Sequence, residues 1–254
     1  MVKKQKKERL LFGLIVFVLG MLGVFSLLTM EITLPETVTS ILKDKFSPTQ
    51  IKFLLLINPT IFLIIAVLFG TILHDKVKLD APIIKSFVAK HKHFNQNTLL
   101  KFGITGGVVT GVLLALSNVI SAQYLPSELV EIGNNLEVSL ANRFLYGGIT
   151  EEILMRFGLM TLVVWLASKV LNSLTPVVYW IGIIVSSIVF GLGHFPIVFQ
   201  TVFEPSSFLL LYILIANSLG GVIFGWLYWK KGLESAMIAH IFAHIVMVTV
   251  GYFS

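Results

Sequence analysis

The stretch PVVYWIGIIVSSIVFGLGHFPIVFQ, residues 176–200, decides the fold class of this chain. It contains no Asp, Glu, Lys or Arg, and it exceeds the roughly 20 apolar residues that an α-helix needs to cross a bilayer. Further apolar windows of this length lie at 10–30, 51–73, 101–121, 143–171, 207–229 and 233–253. The sequence therefore predicts an all-α fold, a polytopic membrane helix bundle of about seven transmembrane helices, with an eighth, re-entrant segment as the alternative.

Composition supports a membrane protein with one domain. Of the 254 residues, 56% are hydrophobic and 13% are charged, whereas soluble domains carry about 25% charged residues. The apolar runs have helix length, unlike the short alternating strands of a barrel. We expect a basic cytoplasmic tail at 1–9 and a single membrane domain at 10–254. The run 10–30 is interpreted as a retained helix, because no small-residue cleavage site of a signal peptide follows it.

The distribution of charge predicts the orientation of the chain. Basic residues concentrate in the tail and in the loop 74–100, while the loop 122–140 carries three Glu and no Lys or Arg. A cytoplasmic N-terminus places the basic loops inside and the acidic loop outside. The net charge of +6 thus indicates contact with membrane lipid, with no nucleic acid partner. A multi-pass protein of the bacterial cell membrane is expected, and its oligomeric state is left open.

Smaller features give local expectations. The loop 122–140 predicts a short surface helix plus a turn, and 79–99 predicts either an amphipathic surface helix or a solvated loop. Gly107-x-x-x-Gly111 and Gly221-x-x-x-Gly225 are typical of close helix packing. Asn217 predicts an interhelical hydrogen bond. Since the chain has no Cys, disulfides, thiol nucleophiles and thiolate metal sites are excluded.

Ionisable side chains inside the apolar windows are the strongest functional indication. A charged side chain at the centre of a membrane helix costs about 2.5–3.5 kcal/mol on insertion scales. The residues that incur this cost are Glu151, Glu152, Arg156, His194, His240 and His244. The other histidines, His74, His91 and His93, are placed in the basic loop. A chain that accepts this cost at several positions, with Glu and His chosen, indicates chemistry at those positions.

The two glutamates differ in their expected partners. Glu152 and Arg156 are four residues apart and share a helix face, so they can form an ion pair. Glu151 points about 100° away and must find a partner across the bundle. An unpaired carboxylate in a water-poor site suits a general base. The alternative is an ion-pair cluster that only locks the helices together.

His194 lies in an irregular stretch of an apolar window. Gly191 and Gly193 precede it, and Pro196 disturbs the helix just after it. Non-helical backbone at membrane depth is tolerated where it lines a cavity. A functional histidine is one interpretation of this pattern, and a packing histidine is the other.

His240 and His244 are four residues apart and share a helix face, as two metal ligands or two hydrogen-bond donors would. The His-Glu-x-x-His pattern of soluble metalloproteases is absent, because Ile241 follows His240.

Together, Glu151-Glu152-x-x-x-Arg156, Phe190-x-x-x-His194 and His240-x-x-x-His244 resemble the three motifs of the CPBP intramembrane proteases (CAAX proteases and bacteriocin-processing enzymes, the Abi family). These are related to the type II CAAX prenyl endopeptidases. The resemblance covers a protease core at about 140–250. The third family motif is commonly His-x-x-x-Asn, so His244 departs from it.

The resemblance implies an intramembrane endopeptidase that hydrolyses a peptide bond in a membrane-associated peptide or protein, in bacterial peptide or bacteriocin processing or in CAAX-like cleavage. Two schemes stay open. In one, His194, His240 and Glu151 or Glu152, with or without His244, hold Zn²⁺. In the metal-free scheme, Glu151 and His194 activate water, and His240 and His244 stabilise the oxyanion. Glu151 is the expected base in both.

Two other classes of function are considered. A non-catalytic membrane regulator or bacteriocin-immunity protein could use the same fold, but it would not need several ionisable groups in lipid. An ion or proton transporter would line a path with polar residues through more of the helices, and the first three windows hold few.

Overall fold

The computed structural model describes residues 2–32, 45–88 and 94–253. Within these ranges, seven helices are long and apolar enough to cross a membrane. In chain order, the seven spans are Lys4–Thr29, Thr49–Val77, Gln96–Ala122, Asn142–Val170, Pro176–Thr201, Ser207–Lys231 and Leu233–Tyr252. The predicted all-α polytopic bundle is confirmed.

The spans are built from several helical segments. The α-helices are Val2–Ser26, Pro48–Leu54, Ile57–Leu73, Pro82–Val88, Gln96–Ala122, Pro126–Asn135, Thr161–Val170, Pro176–Leu192, Phe195–Thr201, Ser207–Lys231 and Leu233–Phe253. Short 3₁₀ turns run over Leu27–Thr29 and His74–Val77. Two-residue strands, β1 (Glu31–Ile32) and β2 (Leu136–Glu137), pair antiparallel. The surface helix expected in 122–140 is Pro126–Asn135. In 79–99 the structure has the helix Pro82–Val88, while His91 and His93 lie outside the described residues.

The fourth span is wound differently from the others. Asn142–Glu151 and Ile153–Met160 form π-helix, in which backbone bonds join residues five apart. Thr150 and Thr161 follow the same spacing, since each hydroxyl also approaches the carbonyl oxygen five residues earlier. π-Helix is rare and is concentrated at functional sites. The segment that carries both glutamates is therefore the irregular one.

Glycines set the closest contacts between spans. A Cβ on Gly107 would lie 2.4 Å from the Ala239 carbonyl oxygen, where the third span crosses the seventh. One on Gly221 would lie 2.9 Å from Ser187, where the sixth crosses the fifth. The packing role predicted for both motifs is confirmed. The prediction for Asn217 is wrong, because its amide donates to the Ile213 carbonyl one turn earlier, in its own helix, at 2.8 Å.

One end of the bundle, here called the basic end, is tied together by ion pairs. Lys85 Nζ lies 2.6 Å from a carboxylate oxygen of both Asp75 and Asp80. Burial lowers the pKa of Lys85, but the hydrogen bonds and charges of the two aspartates outweigh it, so the pKa is raised. Glu234 accepts the Ile84 N–H at 2.8 Å, which ties the seventh span to the helix that carries Lys85.

The sequence predicted that His74 lies in the basic loop, and this prediction is wrong. It begins the 3₁₀ turn that ends the second span, and it is 2% exposed. Its ring stacks on Phe12 with centroids 4.9 Å apart, and it also packs against Phe157. The flanking spans bury it because they supply aromatic surface at that level, which the local charge pattern does not reveal.

At the opposite end of the bundle, here called the acidic end, two glutamates accept hydrogen bonds from backbone N–H groups. Glu128 accepts the N–H of Ser206 at 2.7 Å, and Glu131 accepts that of Phe203 at 2.9 Å. The surface helix Pro126–Asn135 is thereby bound to the turn between the fifth and sixth spans. β1 and β2 lie at the same end, which brings the segments after the first and third spans together.

Candidate active site

Most of the predicted site residues meet in one cavity. Its volume is about 1120 Å³ and all seven spans contribute to its walls, with Met30 and Leu136 at the acidic end. The site residues that line it are Glu151, His194, His240 and His244. Glu152 and Arg156 lie behind the wall and are fully buried. The structure thus brings together all six predicted residues from three spans.

Glu152 joins two of the predicted clusters. Its Oε1 lies 3.0 Å from His240 Nδ1, and its Oε2 lies 3.3 Å from Arg156 Nε. The second contact is an ion pair whose angles do not make it a hydrogen bond. Because a carboxylate only accepts hydrogen bonds, Nδ1 of His240 carries a proton and Nε2 is the ring nitrogen left for the cavity. The sequence predicted the pairing with Arg156 but not the bond to His240.

Glu151 faces His240 from the other side. Its Oε2 lies 3.9 Å from His240 Nε2, and its side chain is 20% exposed. This distance is too long for a direct hydrogen bond, but a single water bonded to both atoms can bridge it. Glu151 therefore has the partner across the bundle that the sequence required, and it has access to the cavity.

His194 lies at the break in the fifth span. The helix Pro176–Leu192 ends just before it and the helix Phe195–Thr201 begins just after it. Its Nδ1 is 2.9 Å from the Phe190 carbonyl oxygen, so Nδ1 donates and Nε2 stays available. The predicted irregular backbone is present and lines the cavity.

His244 stacks on His240, with ring centroids 4.9 Å apart and planes 15° apart. The shared face predicted by their spacing is confirmed. Nδ1 of His244 is buried without a hydrogen-bond partner. The ring fits because Gly147 has no side chain, since a Cβ there would lie 2.7 Å from His244 Nε2.

Two ring nitrogens at this site are suited to bind a metal ion. Nε2 of His194 and of His240 are suitable donors, because each Nδ1 is held by an acceptor. Across residues 2–32, 45–88 and 94–253, however, no three His, Asp or Glu side chains are placed as a ligand set. The donors as arranged therefore do not fit a metal.

Several contributors to the site were missed by the sequence. Phe224 of the sixth span stacks on His240 at 4.6 Å, and Arg156 lies 5.3 Å above the Phe190 ring. Ser186 accepts a long hydrogen bond of 3.5 Å from Arg156. Nothing in the sequence distinguishes Phe224 from the many phenylalanines that face lipid. Gly147 and Gly148 in the NRFLYGGITE stretch of the fourth span are an indication of close approach, because a Cβ on either would clash with the seventh span.

Part of the chain is similar to a known protein family. Residues 133–246, a little under half of the chain, match the family model described as type II CAAX prenyl endopeptidase Rce1-like. All six predicted site residues lie within the matched segment. No curated protein and no solved structure matches the chain significantly.

Proposed function

We propose that the protein is an intramembrane endopeptidase acting on a membrane-associated peptide or protein, because residues 133–246 match the Rce1-like type II CAAX prenyl endopeptidase model. The family is a protease family. The observation that supports catalysis in this chain is the pair of Glu151 and His240, which face each other across 3.9 Å in the cavity wall. Both side chains line the cavity and can be reached from it, whereas the structural ion pair of Glu152 with Arg156 is fully buried.

The proposed reaction is water attack on the scissile carbonyl. Glu151 takes a proton from a water that His194 Nε2 helps to orient, and the water oxygen bonds to the carbonyl carbon. The oxyanion that forms is stabilised by N–H donors of His240 and His244. Glu152, held by Arg156, accepts the His240 Nδ1–H and fixes the orientation of the ring. Glu151 then returns the proton to the leaving nitrogen as the C–N bond breaks.

Access to the cavity suits a substrate held in lipid. The second span contributes Asn58 and Phe62 to the wall, and the third contributes Leu114 and Asn118. The second span packs on the first and fourth, whereas the third packs on the sixth and seventh. The cavity therefore lies between two groups of spans, where a membrane-embedded peptide can enter sideways.

We further propose a bacterial multi-pass membrane protein with its N-terminus in the cytoplasm. Lys and Arg are concentrated at the basic end, as the positive-inside rule requires. The cavity then opens toward the outer face. Substrates of this kind include a bacteriocin or other bacterial peptide precursor and a CAAX-like protein tail.

The proposal is tested with purified protein in liposomes and peptides extracted from bacterial membranes. Mass spectrometry is expected to find new peptide termini with the wild type, and about 10²-fold fewer with His194→Ala. Phe199→Ala, in a lipid-exposed side chain of the same segment, is the matched control and is expected to cleave normally. If no termini appear with the wild type, the regulator or immunity function replaces the proposal.

The same assay decides between the two schemes. We expect cleavage to continue after 1,10-phenanthroline treatment that removes zinc, as verified by elemental analysis. If cleavage instead stops and returns on addition of Zn²⁺, a zinc site held by His194, His240 and a glutamate replaces the metal-free scheme, while the proteolytic function stands.

His244→Asn should keep cleavage within about tenfold of the wild type, because Asn also donates a hydrogen bond to an oxyanion. His244→Ala should lose about 10²- to 10³-fold, the usual effect of removing one such donor. Both are measured as kcat/KM on one cleaved peptide. If the Asn and Ala variants were equally impaired, His244 would not act as a donor that Asn can replace.

A further inference from the structure

Arg143 is a cation in the cavity wall whose charge is not used by the proposed reaction. It lies in the first turn of the fourth span, is half-buried and lines the same cavity as Glu151. Its Nε donates to the Val138 carbonyl at 3.3 Å. Among the described residues it forms no ion pair, whereas Arg156 pairs with Glu152 and Lys85 pairs with two aspartates.

The position of Arg143 relative to Glu151 is set by one helix. Arg143, Gly147 and Glu151 all lie on this π-helix, and all three line the same cavity. Eight residues span at most about 12 Å at the α-helical rise. An extended peptide covers about 3.3–3.6 Å per residue. A group bound at Arg143 is therefore separated from a bond at Glu151 by two to four substrate residues.

The surroundings favour a carboxylate as the bound group. The guanidinium is a planar fork that matches a carboxylate with two parallel hydrogen bonds. Because Nε is already bonded to Val138, the outer nitrogens are the ones left for a ligand. The other charges in the wall near this end, Glu31 and Lys52, are exposed to solvent and are screened. Glu151 repels an anion at the catalytic end, and this repulsion helps to fix the direction in which the substrate binds.

We propose that Arg143 is a specificity-determining residue that binds a substrate carboxylate two to four residues from the cleaved bond. This rests on the proposed function. The carboxylate belongs either to the C-terminus of the substrate or to an Asp or Glu side chain. In both cases the ion pair forms in a largely apolar cavity, where an unpaired carboxylate would be costly. A peptide that offers its carboxylate elsewhere would be aligned wrongly for Glu151.

The experiment uses a peptide cleaved by the wild type, synthesised with a free C-terminus, as the C-terminal amide, and with each acidic residue replaced by its amide. Arg143→Gln is expected to lower kcat/KM for the parent peptide about 10- to 100-fold, mainly through KM. For the one peptide form that lacks the recognised carboxylate, Arg143→Gln should change kcat/KM little, because the interaction is already absent. Arg143→Lys should restore part of the loss. Lys101→Gln, an exposed cation at the basic end, is the control.

Loss of cleavage with the C-terminal amide identifies the terminal carboxylate, and loss with the side-chain amide identifies an acidic residue. If Arg143→Gln lowers kcat/KM equally for all forms, or for none, the assignment of Arg143 is overturned while the protease function stands.

If the wild type cleaves none of the peptides, the proposed function fails. Binding of one fluorescently labelled apolar peptide, with a free C-terminus and as its C-terminal amide, to Glu151→Gln, with and without Arg143→Gln, then tests Arg143 separately. Tighter binding of the carboxylate form that depends on Arg143 supports the site, and equal binding of both forms rejects it.

Discussion

Replacing Glu151 with Gln is expected to reduce cleavage by about 10³-fold or more and to leave the protein folded, because the amide cannot accept the proton of the attacking water. Glu151 is partly exposed and lies 3.9 Å from His240 without a direct hydrogen bond, so an amide of nearly the same size can take its place without breaking one. The measurement is kcat on a cleaved peptide in liposomes, with folding followed by size-exclusion profile and thermal melting in detergent.

Glu137→Gln is the matched control for this change. It makes the same chemical replacement on an exposed glutamate outside the cavity, and cleavage is expected to be unaffected. Glu151→Asp keeps the carboxylate but withdraws it by one methylene, so an intermediate loss is expected. Cleavage at wild-type rates in Glu151→Gln would remove Glu151 from the mechanism.

The seven spans could be predicted because lipid requires a continuous apolar run of known length, and the sequence displays such runs directly. The six site residues could be predicted for a related reason. An ionisable side chain in such a run costs free energy, so its presence indicates a partner or a function. The contact between Glu152 and His240 could not be predicted from the sequence. It depends on how closely the fourth span approaches the seventh, and these residues are 88 positions apart.

Predictions from residue type and spacing were wrong where contacts between spans determine the structure. Spacing arguments assumed an α-helix through Glu151, but the segment is a π-helix, and both glutamates reach His240. His74 looked like a loop residue because lysines follow it, yet the stack on Phe12 buries it. In each case the deciding partner lies on another span, which neither residue type nor spacing identifies.

Replacing Glu152 with Gln is expected to destabilise the protein by about 3–5 kcal/mol, because it removes one partner of a buried ion pair and leaves the other uncompensated. Glu152 and Arg156 are both fully buried, so water cannot solvate the remaining guanidinium. The change in size is negligible, which excludes a cavity as the cause. The measurement is the free energy of unfolding in detergent, with Glu137→Gln again as the control.

The double variant Glu152→Gln/Arg156→Met separates charge from function. Removing the guanidinium as well should recover most of the lost stability, since replacing a whole buried pair with neutral groups is often neutral or stabilising. Cleavage should recover only in part, because a neutral amide accepts the His240 Nδ1–H more weakly than a carboxylate does and so orients the ring less firmly. A double variant no more stable than Glu152→Gln would show that the buried charge of Arg156 is not what destabilises the single variant. Full recovery of cleavage would show that the charge of Glu152 serves the fold alone.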